Sequence, residues 1–93
     1  MELSKVISAL NSKLRRDILK VLVDNPSTVG EVLDNLRNRG FNVKYRETVY
    51  RALEKLVDSG LVQKFYDGEK GICYRLSIRQ IKIEIDKDSI DVI

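Results

Sequence analysis

KYRETVYRALEKLVDSGLV, residues Lys44–Val62, decides the fold. Wound at about 100° per residue, it gathers Tyr45, Val49, Ala52, Leu53 and Leu56 on one side, the stripe of a core-facing helix. Across from that stripe Lys44, Thr48, Arg51 and Lys55 recur at helical spacing, giving a basic, hydroxyl-bearing line along the helix. Asp58-Ser59-Gly60 ends it, with Gly60 suited to a left-handed backbone, and Leu61-Val62 begin an extended segment. One apolar face and one cationic face are what insertion into a DNA major groove requires.

The flanking sequence supplies the rest of a helix-turn-helix. Leu3, Val6, Ile7 and Leu10 have the spacing of a short amphipathic helix, interrupted by Asn11-Ser12. Ser12 can cap a second helix whose stripe is Leu14, Ile18, Val21 and Leu22, widened by Leu19 and stopped by Asp24-Asn25-Pro26. Thr28-Val29-Gly30-Glu31 has the form of a capping box, followed by Val29, Val32, Leu33 and Leu36 and closed by Gly40. Phe41-Asn42-Val43 then turns into the basic helix, with Phe41 and Val43 expected beneath the turn. Leu61–Tyr66 and Ile72–Leu76 read as strands about a glycine-flanked turn, Asp67–Gly71, which makes a hairpin wing. Beyond it the alternation changes parity between Leu76/Ile78 and Ile81/Ile83/Ile85, the sign of a break or bulge. IKIEI and IDVI read as two further short strands around Asp86–Ser89.

TVYRALEKLVDSGLV resembles the recognition helix of winged helix-turn-helix transcriptional regulators of the arsenical-resistance repressor, phenolic-acid repressor and ferric-uptake types. Upstream, ISALNSKLRRDILKVL resembles the opening helices of the arsenical-resistance type, and the likeness covers about residues 7–76. Lys44-Tyr45-Arg46 departs from that type, which has a shorter turn and small hydroxyl residues at the helix start. The resemblance implies an α+β winged helix-turn-helix that binds DNA as a homodimer. It does not carry over a metal switch. Arsenical-resistance sensors use cysteines on the helix matching Val29–Arg39, ferric-uptake regulators use histidines, and this chain has neither there.

Composition bounds the alternatives. The 93 residues, 43% of them hydrophobic, suit one domain with a modest core. The formal charge is only +3. Between Arg37 and Lys55, however, six basic residues (Arg37, Arg39, Lys44, Arg46, Arg51, Lys55) stand against two acidic ones (Glu47, Glu54). The absence of histidine removes the usual general base and metal ligand, and one cysteine builds no cluster or intramolecular disulfide. No catalytic pair or phosphate-cradling glycine loop is present, so the expectation is no enzyme, no cofactor and no metal. MELSKVISAL lacks a signal peptide's apolar run, and no segment has a membrane span's length, so a cytoplasmic location without membrane association is expected.

The expected architecture is a winged helix over residues 1–80 and a β tail over 81–93 for dimerisation or packing. Arg46, Thr48, Tyr50 and Arg51 are the candidates for base edges or nearby phosphates, with Lys44 and Lys55 as phosphate anchors. Glu47 either accepts from a cytosine amine or orients Arg51. Lys64, Lys70 and Arg75 of the wing are expected at phosphates. A dimer surface is expected from Leu3, Val6, Ile7 and Leu10 of the first helix with Ile81, Ile83 and Ile85 of the tail. Cys73 reads either as a small semi-buried residue or as a redox-sensitive thiol or intersubunit disulfide. A winged helix used for protein interaction within a larger complex is the alternative, although such modules often lose or cover the basic stripe.

Overall fold

Ser12 and Thr28 open helices through their side-chain oxygens, which accept from the main-chain N–H of Arg15 and Glu31 respectively. The computed structural model of the chain describes residues 1–84, 86 and 89–92. Helices α1 (Leu3–Leu10), α2 (Lys13–Asp24), α3 (Val29–Asn38) and α4 (Arg46–Ser59) come first. Strands β1 (Val62–Asp67), β2 (Gly71–Leu76), β3 (Ile81–Glu84) and β4 (Ser89–Val92) follow. This is the α+β winged helix-turn-helix expected from the sequence. The Thr28 capping box is complete, since Glu31 Oε1 also accepts from the Thr28 N–H at 3.1 Å. Gly60 closes α4 at φ 87°, in the left-handed region where a side chain costs about 1–2 kcal/mol.

The core is a wedge between the four helices and the base of the wing. Val6 and Ala9 from α1 meet Ile18 and Val21 from α2, Val32 and Leu36 from α3, and Val49, Leu53 and Leu56 from α4. Each fully buried aliphatic side chain of the Leu53 kind contributes about 1.5–3 kcal/mol. β1 and β2 pair antiparallel with Val62 opposite Leu76 and Asp67 opposite Gly71. The wing is tied to the α2–α3 connection by a further antiparallel bridge. Ser27 N–H donates to the Tyr74 carbonyl at 2.9 Å, and Tyr74 N–H returns the bond at 2.8 Å. The segment after Pro26 thus forms a short third edge to the wing.

The change of parity after Leu76 is a strand break. β2 stops there, and β3 pairs antiparallel with β4 in a separate hairpin, Ile83 opposite Ile90. No described helix is long and apolar enough to cross a membrane.

Two expectations about packing need correction. Tyr45 does not join the buried stripe and is 63% exposed. It is the N-cap residue, with extended φ −119° and ψ 134°, so the helical phase begins one residue later. Val6 is fully enclosed by its own chain and offers no surface to a second copy.

Candidate nucleic-acid interface

Arg37 fixes where α4 begins. Its guanidinium donates to the carbonyls of Val43 (3.1 Å) and Lys44 (3.2 Å), pinning the turn between α3 and α4. Arg39 stays at the surface but is also engaged within the chain, donating to Asn35 Oδ1 at 2.8 Å and lying 3.6 Å from Asp24. Two of the six basic residues that marked this region are therefore engaged within the chain, Arg37 at the turn and Arg39 at the end of α3.

With Val49, Ala52, Leu53, Leu56 and Ser59 buried, the solvent-facing line of α4 can be reassigned. At about 100° per residue the positions opposite that face are Glu47, Arg51, Glu54 and Asp58. Arg46 and Tyr50 lie on one flank, and Thr48 and Lys55 on the other. The basic line expected from the sequence, Lys44, Thr48, Arg51 and Lys55, thus lies roughly 60–70° to one side of the solvent-facing line. Arg46, Glu47 and Tyr50 border a groove of about 610 Å³ whose far wall is Lys64, Lys70, Ile72 and Tyr74 of the wing. Lys44 and Thr48 border a different hollow with Lys13, Phe41 and Tyr45. The Lys44 ammonium sits 5.6 Å from the Tyr45 ring centroid. Lys55 adjoins α1, near Ser4 and Ser8.

The pleat of the wing separates its cations. Lys64 pairs with Tyr74 in register and shares its face, towards α4. Arg75 lies on the other face, 4.6 Å from the Phe65 ring and donating to Gln63 Oε1 at 2.9 Å. Arg75 therefore does not join Lys64 at the groove. The wing turn is held by Asp67, whose Oδ1 accepts from the N–H groups of Glu69 (2.8 Å) and Lys70 (3.0 Å). Those bonds, Glu69's first, lower the Asp67 carboxyl below its ordinary value. A larger hollow behind the wing, about 770 Å³, is lined by Asp24, Glu31, Asp34 and Asp67 with Lys70, a net negative charge that repels nucleic acid.

Three of the interface cations carry glutamate partners. Arg51 donates to Glu47 at 2.8 Å, Lys64 to both oxygens of Glu54 at 3.0 and 3.1 Å, and Lys70 to Glu31 at 3.1 Å. Pairs this exposed are worth about 0–1 kcal/mol. Glu54 has a second, stronger attachment: the hydroxyl of buried Tyr74 donates to its Oε2 at 2.7 Å, clasping the wing to α4. Partial burial pushes the Glu54 carboxyl up, but the bonds from Tyr74 and Lys64 outweigh it and leave it lowered. Burial first, then the Glu54 acceptor, drive the Tyr74 hydroxyl well above its ordinary value. Glu31, Glu54, Ile72 and Tyr74 were missed as site residues in the sequence. Glu54 and Tyr74 are 20 residues apart, and no local pattern announces such a pair.

The residues expected at a dimer surface divide by exposure. Ile7 and Ile83 are exposed, Leu3 is half-buried, and Leu10 and Ile81 pack partly against the chain's own core. Ile85 lies outside the described residues. Cys73 is 2% exposed, and burial, then the charges of Asp67 and Glu31, raise its thiol pKa. That is the environment of an inert thiol, against the redox reading.

A family model described as the ferric uptake regulator family (FUR) matches residues 8–90. No curated protein matches. Among solved structures, the chain is similar to the Vibrio cholerae ferric uptake regulator, at 22% identity and a TM-score of 0.63, covering 88% of this chain and 66% of that one. The crystal structure of that regulator is described as revealing a structural rearrangement of its DNA-binding domains. The chain is also similar to the Pseudomonas aeruginosa ferric uptake regulator with manganese, at 21% identity and a TM-score of 0.67, covering 100% of this chain and 75% of that one. It thus spans just under two thirds of the first relative's length. At these identities the likeness establishes the fold. The matching family corrects the expected resemblance: of the three types named from the sequence, it is the ferric-uptake type, not the arsenical-resistance or phenolic-acid type.

The expectation of no metal partner is set aside, because the family is named for ferric uptake and the Pseudomonas regulator is described with manganese. The side chains present nevertheless do not fit such a centre. The chain has no histidine, its cysteine is buried, and among the described residues no three His, Cys, Asp or Glu side chains gather as a ligand set.

Proposed function

The chain belongs to the ferric uptake regulator family, and from that premise we propose that it is a sequence-specific, double-stranded-DNA-binding transcriptional regulator acting as a homodimer. The first two turns of α4 enter the major groove, where Arg46, Tyr50 and Arg51 meet base edges or adjacent phosphates. Lys44, Thr48 and Lys55 follow the strand on the outer flank, and Glu47 orients Arg51. The wing lies along the backbone or minor groove with Lys64 and Lys70, while Arg75, on the wing's far face, reaches only a backbone that wraps round it. The observation that carries this reading is the shared groove of α4 and the wing. The start of a recognition helix and two wing lysines border one channel, as docking on a duplex needs.

Residues 1–80 would form the DNA-binding unit. The β3–β4 hairpin would pair with that of a second protomer, assisted by exposed Ile7 and Ile83. A two-fold axis there would set two recognition helices about 34 Å apart, one turn of DNA. The test is selection of bound duplexes from a random pool. Enrichment of a two-fold symmetric site with half-sites one turn apart supports the proposal. Enrichment of nothing over the input pool returns the chain to the protein-interaction reading.

A further inference from the structure

Lys64 and Lys70 stand where the wing would meet a phosphate, yet each already holds a carboxylate in the place a phosphate oxygen would take. Glu31 is the more telling partner, because it is held on two sides. Its Oε1 accepts from the Thr28 N–H, and its own N–H donates to Thr28 Oγ1. Its Oε2 then accepts from Lys70 Nζ, 39 residues further on. The capping box thus holds the carboxylate at the start of α3, in the acidic hollow that Lys70 also borders from the groove side. The wing tip is equally restrained, since Asp67 holds the main chain of Lys70. The start of α3 and the wing tip thus meet in one exposed ion pair, with Lys70 bordering both the groove and the acidic hollow.

We infer that Glu31 competes with DNA phosphate for Lys70 and so sets how much the wing tip adds to duplex binding. The inference rests on the DNA-binding reading. On an arbitrary duplex, Lys70 exchanges one anion for another, and the gain from counterion release is offset by the lost Glu31 contact. On a matched duplex, the base contacts of α4 bring the backbone to the wing, and the exchange goes through. Either way the Glu31 contact has to be given up first, so Glu31 lowers affinity for matched and arbitrary duplexes alike.

Glu31→Gln tests this cleanly, because the amide oxygen still accepts from the Thr28 N–H while the charge facing Lys70 is gone. The variant should bind an arbitrary duplex about two- to fivefold more tightly at about 50–100 mM salt. Its log K against log salt should steepen by about 0.9, one further phosphate. A duplex chosen by selection should gain at least as much, since it too must displace Glu31. In a Lys70→Ala background the same Glu31→Gln change should alter affinity less than about twofold. An unchanged melting temperature verifies that the cap is kept. Unaltered affinity and slope in Glu31→Gln, with the parent protein binding normally, overturn the inference. So does an equal gain in the Lys70→Ala background, which would reduce the effect to general charge. If the parent protein binds no duplex at all, the DNA-binding reading falls and this inference with it.

Discussion

Replacing Tyr74 by Phe removes one oxygen and leaves the ring, so it isolates the clasp between wing and recognition helix. The hydroxyl donates to Glu54 Oε2 at 2.7 Å from a residue that is 1% exposed. A hydrogen bond to a charged group contributes about 1.5–3 kcal/mol. The Glu54 side chain is 32% exposed and keeps its Lys64 partner, so water can take the vacated lone pair. That places the loss at the low end, about 1–1.5 kcal/mol, without the cavity cost of about 3–5 kcal/mol that truncating a buried aromatic to Ala brings. For a domain of this size the melting temperature should fall by about 5–10 °C. Urea unfolding followed by far-ultraviolet circular dichroism should show a lower midpoint with the same m-value. The pH dependence has a definite sign. The folded protein holds the hydroxyl proton more tightly than the unfolded chain, so its contribution is full below the ordinary tyrosine pKa of about 10 and is lost as pH rises above it. Above about pH 10 the parent protein should therefore lose stability faster than Tyr74→Phe. Glu54→Gln, which keeps an acceptor for the hydroxyl, should cost less than Tyr74→Phe. A Tyr74→Phe protein within about 0.3 kcal/mol of the parent would refute the clasp, and a loss above about 3 kcal/mol would mean the ring itself had moved.

Arg51→Ala should weaken binding to a selected duplex by about 1–3 kcal/mol and relax preference at one base position, read by competition with single-base variants; uniform weakening across all variants would reassign Arg51 to phosphate. Cys73, buried and with a raised pKa, should react with a disulfide reagent at about pH 8 far more slowly than the same thiol in urea; equal rates would place it at the surface. Ile83→Asp changes an exposed side chain, so stability should move by no more than about 0.5 kcal/mol while self-association weakens; an undiminished dimer by sedimentation equilibrium would remove the tail from the interface.

Much of the fold was legible because its signals are local. The caps at Ser12 and Thr28, the left-handed Gly60 and the glycine-flanked wing turn are each written within four or five residues, and each is found where it was read. The errors arose where a residue's role depends on something distant. Tyr45 matches the apolar period, but Arg37 pins the preceding turn from α3, so the helix starts after it and the tyrosine points to solvent. Val6 has the spacing of a surface stripe, but α1 packs against the other helices and encloses it. Among the wing cations, charge alone did not separate Arg75 from Lys64. Strand parity puts them on opposite faces, and only the position of α4 tells which face borders the groove. The glutamates that hold Lys64 and Lys70 come from other elements, 10 and 39 residues away, beyond the reach of a local pattern.

DNA binding itself is tested most directly by equilibrium titration of the chain with a duplex across a range of salt. About six phosphate contacts per protomer pair give an expected slope of log K against log salt of about −5, with binding evident at about 50–100 mM. A slope indistinguishable from zero, or no binding at that salt, would contradict a duplex-binding function.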